Sequence, residues 1–286
     1  MANPVAVVTD STAHIPRELT DTLPVFTIPL HLNWGGISYR DNVDITPSEF
    51  YQRLQSDSET PTTSQVTPEE FHILYSDLVG RGYDILSIHI TQKYTKVFDA
   101  ANLAASQFPQ GRIQVIDSGS SAMAMGFQVL EAARTAKAGS PLHHCLQVAE
   151  QARQRTRVFF IPATLEFLRR GGRISDMTAL IGTLLHIKPI LTVRNGSLVV
   201  INRVRTMRHA LAQLADSVIQ HIPRGSAIRF AFMHSNFPAR AQELMDRTLA
   251  AFKDGEVKET LISDISPALG THIGPEAVGL AYILEN

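Results

Sequence analysis

The chain has 286 residues, which is enough for one large domain or two ordinary domains with a substantial core. Apolar residues make up 44% of the chain and charged residues 19%, and the formal net charge is -1. This near-neutral balance argues against a nucleic-acid-binding protein, because such proteins usually carry a clear excess of Lys and Arg. The composition is typical of a soluble globular protein that binds no nucleic acid.

The single cysteine, Cys145, leaves no internal disulfide to form, which fits a reducing cytoplasm. The amino terminus has no basic segment and only the short apolar run Val5–Val8, so we expect no signal peptide. No apolar stretch approaches the roughly 18 residues that a membrane helix needs. We therefore predict a cytoplasmic protein with no membrane span.

Strand-like runs alternate with helix-like segments in the first half of the chain. The predicted strands are Val5–Asp10, Tyr83–Ile90, Ile113–Asp117 and Val158–Pro162. The predicted helices are Phe98–Ser106, Met123–Lys137 and Leu142–Arg153. This alternation is typical of a mostly parallel sheet with helices on both faces. The alternating run Phe26–Asn33, followed by Gly35-Gly36 and a second strand-like run, also predicts a hairpin.

Two further helix starts are marked by capping boxes. Thr46 and Thr67 are each followed by Pro at the first helical position and by Glu two residues later. Just ahead of the second box lies a run of hydroxyl and amide side chains from Thr62 to Gln65. The capping box itself does not account for this run, so it is a candidate binding segment.

The second half of the chain predicts a smaller α/β unit with a mixed sheet. An Asn195-Gly196 turn joins two strand-like runs into a hairpin, and a helix is expected over Arg208–Gln220. Further predicted strands are Ala227–Met233, Val257–Ile262 and Val278–Leu284. The sequence therefore predicts two α/β domains, residues 1–160 and 161–286.

Three predicted strands of the first half end in loops rich in hydroxyl groups. These loops are Thr9–Thr12, Thr91–Thr95 and Asp117–Ser121. Ligands of open α/β sheets bind outside the carboxyl ends of the strands, so these loops and Thr62–Gln65 could form one polar pocket. The alternative is that each loop only caps the helix that follows it.

The common catalytic and metal-binding motifs are missing from the sequence. It contains neither a phosphate-binding G-x-x-x-x-G-K-[ST] nor a G-x-S-x-G nucleophile motif. The run His143-His144-Cys145 does not predict a metal site, because neighbouring residues on a helix point about 100° apart. We expect no metal and no cofactor.

Three basic or glycine-rich segments remain open to more than one interpretation. In Leu168–Arg173, Arg169 and Arg170 fit a helix carboxyl terminus, whereas Arg173 lies beyond it and is a candidate anion ligand. A basic run that includes Arg205 indicates either a solvated face or a docking surface. The glycine-bracketed stretch Gly270–Pro275 predicts a loop, and its His272 is a candidate binding or structural residue.

Taken together, these segments resemble the DegV family of bacterial fatty-acid-binding proteins over nearly the whole chain. The matching stretches are VVTDST, YRDNVDITPSEFYQRL, PTTSQVTPEEF, IHITQKYT, VIDSGSS, LEFLRRGGRIS, KPILTV, RVRT and GTHIGP. Each stretch alone is a weak signal, but they occur in the family's order and at similar spacing. The resemblance implies a long-chain fatty acid bound between the two α/β domains, and a non-enzymatic carrier that presents it to a fatty acid kinase for phospholipid synthesis.

The resemblance also implies binding residues. Thr63, Ser64, Thr95, Ser120 and His272 would lie at the fatty-acid carboxylate, while Arg173 and Arg205, from the basic segments above, stay candidate contacts for an anion or a partner. The chain departs from the family pattern after Thr95, where Lys96 and Val97 replace a glycine and a threonine. Lys96 could therefore add a cation near the carboxylate.

Two alternatives to a fatty-acid carrier stay open at the level of sequence. One is an acyl-ester hydrolase that uses Ser118 or Ser120 with His272. The other is a module that binds an anion or phosphate through Arg173 and the glycine-rich loops.

Overall fold

The computed structural model describes residues 3–174 and 187–285, and places their strands in three sheets. The first sheet is entirely parallel, as the alternating sequence pattern predicts. Its strands, in spatial order, are β2 (Val25–Ile28), β1 (Val5–Asp10), β6 (Asp84–His89) and β7 (Ile113–Asp117). Four of its helices are α3 (Pro68–Gly80), α4 (Val97–Ala105), α5 (Ala122–Lys137) and α6 (Leu142–Arg155).

A small antiparallel sheet stands beside the parallel one. It consists of β4 (Ile37–Arg40), β3 (His31–Trp34) and β5 (Thr62–Ser64). The predicted single strand over Phe26–Asn33 is wrong, because Pro29 and Leu30 separate β2 from β3 and the two belong to different sheets. The predicted hairpin is confirmed for β3 and β4, which Gly35-Gly36 joins with positive φ angles of 62° and 76°.

The remaining strands form a six-stranded mixed sheet. In spatial order they are β10 (Ser197–Val204), β9 (Lys188–Arg194), β8 (Thr156–Ile161), β13 (Val278–Leu284), β11 (Ile228–His234) and β12 (Val257–Asp264). The Asn195-Gly196 turn joins β9 and β10 with positive φ at both residues, as predicted. The helices of this half within the described residues are α7 (Glu166–Arg170), α8 (Met207–His221), α9 (Pro238–Leu249) and α10 (Pro267–Ile273).

Helix α5 lies between the parallel and the mixed sheets. Met125 and Val129 pack in the core of the parallel sheet, whereas Phe127 and Leu130 pack in the core of the mixed sheet. The helix is therefore buried all round, which explains its nearly continuous apolar sequence. An ion pair between Glu131 of α5 and Arg229 of β11, at 2.7 Å, adds a polar tie between the two halves.

The division into domains at residue 160 stays a prediction. That position falls inside β8, which pairs with β9 and β13 of the mixed sheet. By sheet membership, the first half ends with α6 at Arg155. The two remaining helices, α1 (Arg17–Thr20) and α2 (Pro47–Ser56), precede α3 in the chain, and the predicted capping boxes of α2 and α3 are both confirmed.

Candidate functional site

A cavity of about 410 Å³ opens where the carboxyl ends of the parallel strands face the mixed sheet. This size lies in the range of small-molecule sites, roughly 300–1,000 Å³. Residues from the loops after β1, β6 and β7 contribute to its lining, as the strand-end pattern predicts. The serine and threonine hydroxyl groups of the lining belong to Thr12, Thr63, Ser64, Thr91, Thr95 and Ser121. Polar side chains from separate parts of the sequence therefore meet in one place.

The other walls of the cavity are apolar and come from both halves of the chain. Leu30 and Ile90 are contributed by the first half, and Val158, Phe160, Leu198 and Met233 by the mixed sheet. Helix α10 adds further apolar side chains beside its polar residue His272. The cavity is thus amphipathic, with hydroxyl groups and a long apolar surface in the same enclosure.

Thr63 and His272 are joined by a hydrogen bond across the cavity wall. The Thr63 Oγ1 atom lies 3.0 Å from Nε2 of His272, although the residues are 209 positions apart in sequence. Burial, together with the charge of Arg173, lowers the pKa of His272 to about 4. The imidazole is therefore neutral at pH 7 and carries one N–H.

The position of that proton determines what Thr63 offers to the cavity. Nδ1 of His272 is buried and has no hydrogen-bond partner among residues 3–174 and 187–285. A buried N–H without an acceptor is costly, so we assign the proton to Nε2, where it is donated to Thr63 Oγ1. The Thr63 hydroxyl is then left to donate its own proton to an acceptor inside the cavity.

The backbone around Thr63 and His272 is fixed by neighbouring elements. Strand β5 pairs with β3 so that Thr63 lies opposite Leu32. Sequence inspection missed this strand, because three polar residues show no apolar alternation. The segment with His272 was predicted as a loop, but residues up to Ile273 form α10, so that prediction is wrong.

Buried polar contacts hold the amino terminus of α10. The backbone N–H of Ser266 donates to Nε2 of His14 at 3.1 Å, and the N–H of Ala268 donates to Asp41 at 3.0 Å. Burial lowers the pKa of His14 to about 4, against the nearby charge of Asp10, and burial raises the pKa of Asp41 to about 6. These contacts tie the position of His272 to the first half of the chain.

Gly171 permits the close approach of His272 to the end of α7. A Cβ atom built on Gly171 would lie 2.3 Å from His272 Nδ1, so any larger residue would displace the ring. Arg169 and Arg170 lie in the last turn of α7, which confirms their interpretation as helix-end residues, and both pair with Glu166 at 2.7 Å. Beyond the helix end, Arg173 lines the cavity and its guanidinium donates to the carbonyl of Tyr94 at 3.1 Å.

Thr95 and Lys96 both line the cavity, and each side chain has a bonding partner close to it in sequence. The Thr95 Oγ1 atom accepts the backbone N–H of Val97 at 3.3 Å, so the hydroxyl also caps α4. The ammonium group of Lys96 is exposed and pairs with Asp99 at 3.0 Å. This ion pair favours a solvent-facing role for Lys96 over an added cation at the ligand.

Ser120 and Arg205 do not line the cavity. The exposed guanidinium of Arg205 has no ion pair in the described part of the chain. Ser118 is fully buried and its Oγ atom bonds to the backbone of Ser120, so it braces the loop after β7. Two other hydroxyl residues, Thr12 and Ser121, line the cavity. The sequence indicates their loops as candidate binding segments, but its apolar periodicity does not distinguish these two residues from their polar neighbours.

A buried carboxylate orients Thr12. The Thr12 hydroxyl and backbone N–H both donate to Asp10 Oδ1, at 2.5 Å and 3.1 Å. The other oxygen of Asp10 lies 3.1 Å from Nδ1 of His89, which is also fully buried. Thr12 therefore gives its proton to the protein and presents only oxygen lone pairs to the cavity.

In the part of the chain that spans residues 3–174 and 187–285, no group of three or more His, Cys, Asp or Glu side chains is arranged to hold a metal ion. None of its helices is long and apolar enough to cross a membrane.

Comparisons of this chain with a family model, with curated proteins and with solved structures all indicate the same family. A family model described as "Uncharacterised protein, DegV family" matches residues 4–285. A DegV domain-containing protein of Clostridium perfringens is 32% identical over 286 residues, covering 99% of each chain. A solved structure of a fatty-acid-binding DegV family protein from Thermus thermophilus is 34% identical, with a TM-score of 0.91 and 100% coverage of both chains.

A second solved structure, of DegV from Bacillus subtilis, agrees with the first. That protein, described as fatty-acid-binding, is 32% identical to this chain, with a TM-score of 0.90 and 100% coverage of both chains. The similarity thus extends through both halves of the chain and includes the strands and loops that line the cavity. This chain belongs to the DegV family.

Proposed function

We propose that this protein binds one long-chain fatty acid in the cavity between the parallel and mixed sheets. The observation that carries the proposal is the Thr63–His272 pair, which directs a neutral hydroxyl donor into an enclosure with apolar walls. Similar proteins from Thermus thermophilus and Bacillus subtilis are described as fatty-acid-binding, which supports the same ligand class here.

The chemistry of the lining suits a carboxylate with a long tail. Hydroxyl donors bind a carboxylate through charge-assisted hydrogen bonds without a second full charge having to be buried beside it. In this arrangement Thr63 is the principal donor, Ser64 and Thr95 are secondary candidates, and Arg173 supplies positive potential. The tail contributes about 0.8 kcal/mol per buried methylene, so most of the affinity comes from the apolar walls.

A carrier fits the site better than a hydrolase. A serine hydrolase needs its nucleophile within hydrogen-bond reach of a base. Here the hydrogen-bond partner of His272 is Thr63, while Ser118 is buried and bonded to its own loop. We propose that this protein does not itself transform the fatty acid but presents it to a fatty acid kinase, as its family resemblance implies. Arg205, exposed and unpaired in the described residues, is a candidate contact for that partner.

Solvent extraction of the purified protein tests the proposed ligand. The protein is denatured, the extract is analysed by mass spectrometry, and the fatty acid is quantified against the protein. We expect close to one fatty acid per chain, and an extract from a mock purification serves as the control. Absence of bound fatty acid, even after incubation with a mixture of long-chain fatty acids, would refute the proposal.

A further inference from the structure

A second cavity, of about 380 Å³, lies on the opposite face of the mixed sheet. We call it the rear cavity and define it by Arg157, Phe159, Arg194, Ser217, His221 and Tyr282. Side chains alternate between the faces of a strand, so in β8 Val158 and Phe160 face the first cavity, whereas Arg157 and Phe159 face the rear cavity. The two cavities are therefore separate sites on shared strands.

The register of the sheet places two arginines and a tyrosine in one row. Tyr282 of β13 lies directly opposite Arg157 of β8. Phe159 lies opposite Thr192 of β9, and this antiparallel register, continued by two residues, places Arg194 beside Arg157. Side chains opposite each other on one face have Cβ atoms about 4.5–5.5 Å apart. The row thus brings two guanidinium groups next to a phenol hydroxyl.

No carboxylate among the described lining residues neutralises this row. None of the residues that line the rear cavity is Asp or Glu, and His221 adds a third basic side chain. The guanidinium of Arg157 is held by the backbone carbonyls of Gln154 and Thr156, at 2.8 Å and 2.7 Å. Arg194 has neither a hydrogen bond nor an ion pair from its side chain to any described residue. Neighbouring like charges destabilise a sheet, so this row is suited to an anion that would bridge them.

Tyr282 adds a hydroxyl group to this row. Its ring is only 4% exposed and stacks on Phe159, with ring centres 6.2 Å apart. Its hydroxyl lines the rear cavity and makes no hydrogen bond within residues 3–174 and 187–285. Burial raises the pKa of this phenol, although the charge of Arg157 opposes the shift, so the group is a neutral donor at pH 7.

The rest of the rear cavity is apolar. Phe159 contributes an aromatic surface, and Val199, Val200 and Ile201 contribute a branched aliphatic wall. Three consecutive residues of β10 can line one cavity because the register shifts between Val200 and Asn202. We propose that the rear cavity binds a compact organic anion, whose carboxylate or phosphate contacts Arg157, Arg194 and the Tyr282 hydroxyl and whose aromatic or branched body packs on Phe159 and β10.

Calorimetric titration of protein that is already saturated with stearic acid tests this proposal. The probes are 1-naphthoate and 1-naphthyl phosphate, which share the apolar body and differ in the anionic group. We expect one saturable site for at least one probe, with the tighter probe indicating whether the natural ligand carries a carboxylate or a phosphate. Arg194→Ala should weaken binding by about tenfold or more, and Tyr282→Phe by about fivefold, through loss of a charge-assisted hydrogen bond.

Arg17→Ala is the matched control, because Arg17 is an exposed arginine of α1 that does not line the rear cavity. Its affinity for the probe should equal that of the wild type. Should Tyr282→Phe fold poorly, Arg194→Ala carries the test, since Arg194 is exposed. The proposal is overturned if neither probe binds saturably, if Arg194→Ala binds as tightly as the wild type, or if the probe binds only by displacing stearic acid.

Discussion

Replacement of Thr63 by Ala removes the hydroxyl group that we propose contacts the fatty-acid carboxylate. Thr63 is half-buried on β5, and its Oγ1 atom has one protein partner, His272 Nε2 at 3.0 Å. The substitution also leaves the Nε2 proton without its acceptor. The strand itself should persist, because backbone pairing with β3 holds it and Ala keeps the Cβ atom.

The expected loss of binding free energy is about 1–3 kcal/mol, the range for removing one partner of a buried hydrogen bond. This corresponds to a roughly 5- to 150-fold rise in Kd for stearic acid. Binding should be weakened rather than abolished, because each buried methylene still contributes about 0.8 kcal/mol. Thr63→Ser retains the hydroxyl and should bind within a few-fold of the wild type.

Isothermal titration of lipid-stripped protein with stearic acid and with methyl stearate measures the effect. The methyl ester lacks the charge, so the wild type should prefer the acid, and Thr63→Ala should lose most of that preference. Thr62→Ala is the matched control, since Thr62 is an exposed threonine on the opposite face of the same strand. Equal affinity of Thr63→Ala and wild type for stearic acid would refute the role of Thr63.

Three further predictions follow from the site. Gly171→Ala should displace the His272 ring, because the new Cβ atom would lie 2.3 Å from Nδ1, and should raise the Kd for stearic acid about tenfold or more by titration. Lys96→Ala should change this Kd by less than about twofold, because its ammonium group is paired in solvent. Urea unfolding should show lower stability at pH 5 than at pH 7, by up to about 3 kcal/mol, because His14 and His272 have folded pKa values of about 4, below the unfolded value. The unfolded chain therefore takes up more protons as the pH falls, and Asp41, with its raised pKa of about 6, opposes this effect in part.

Each of these predictions has a control within the chain. Gly80→Ala introduces a Cβ atom with nothing within 4 Å and should leave binding unchanged. Asp99→Ala removes the partner of Lys96 and should likewise leave the Kd for stearic acid unchanged. A Kd that changes in Lys96→Ala but not in Asp99→Ala would instead place the Lys96 ammonium group at the ligand. Asp41→Asn removes the opposing group, so its loss of stability between pH 7 and pH 5 should exceed that of the wild type; an equal or smaller loss contradicts the assigned protonation.

Elements with their own sequence signals were predictable. The strands Ile113–Asp117 and Val278–Leu284 were predicted with the observed ends, because each is a short apolar run between polar or glycine-containing segments. The Asn195-Gly196 hairpin was predictable because its positive φ angles suit few other residue pairs. In these cases the residues of the element itself are sufficient to predict it.

Elements defined by distant partners could not be predicted in this way. Strand β5 exists because Thr62–Ser64 adds to the edge of β3, and nothing in its own polar sequence indicates pairing. β2 and β3 were merged because their apolar alternation continues across Pro29, although the two strands join different sheets. Which sheet a strand joins depends on which sheet edges are unpaired in the folded chain.

In the candidate site, too, some features follow from local sequence and others depend on distant residues. Convergence of the loops after β1, β6 and β7 follows from the parallel sheet and was expected from sequence. The Thr63–His272 contact joins residues 209 positions apart, and only the family resemblance brought them together beforehand. The ion pair of Lys96 with Asp99 was not anticipated, because it depends on how α4 begins.

Carbon-13 NMR of bound fatty acid, labelled at the carboxyl carbon, is the most direct measurement of the proposed headgroup position. Lipid-stripped protein is mixed with one equivalent of labelled oleic acid, and the carboxyl resonance is recorded for the wild type, Thr63→Ala and Thr62→Ala. We predict one bound resonance that moves in Thr63→Ala and stays in place in Thr62→Ala. A carboxyl resonance that is unchanged by Thr63→Ala, or that remains at the position of free oleate, would contradict the binding of the carboxylate at Thr63.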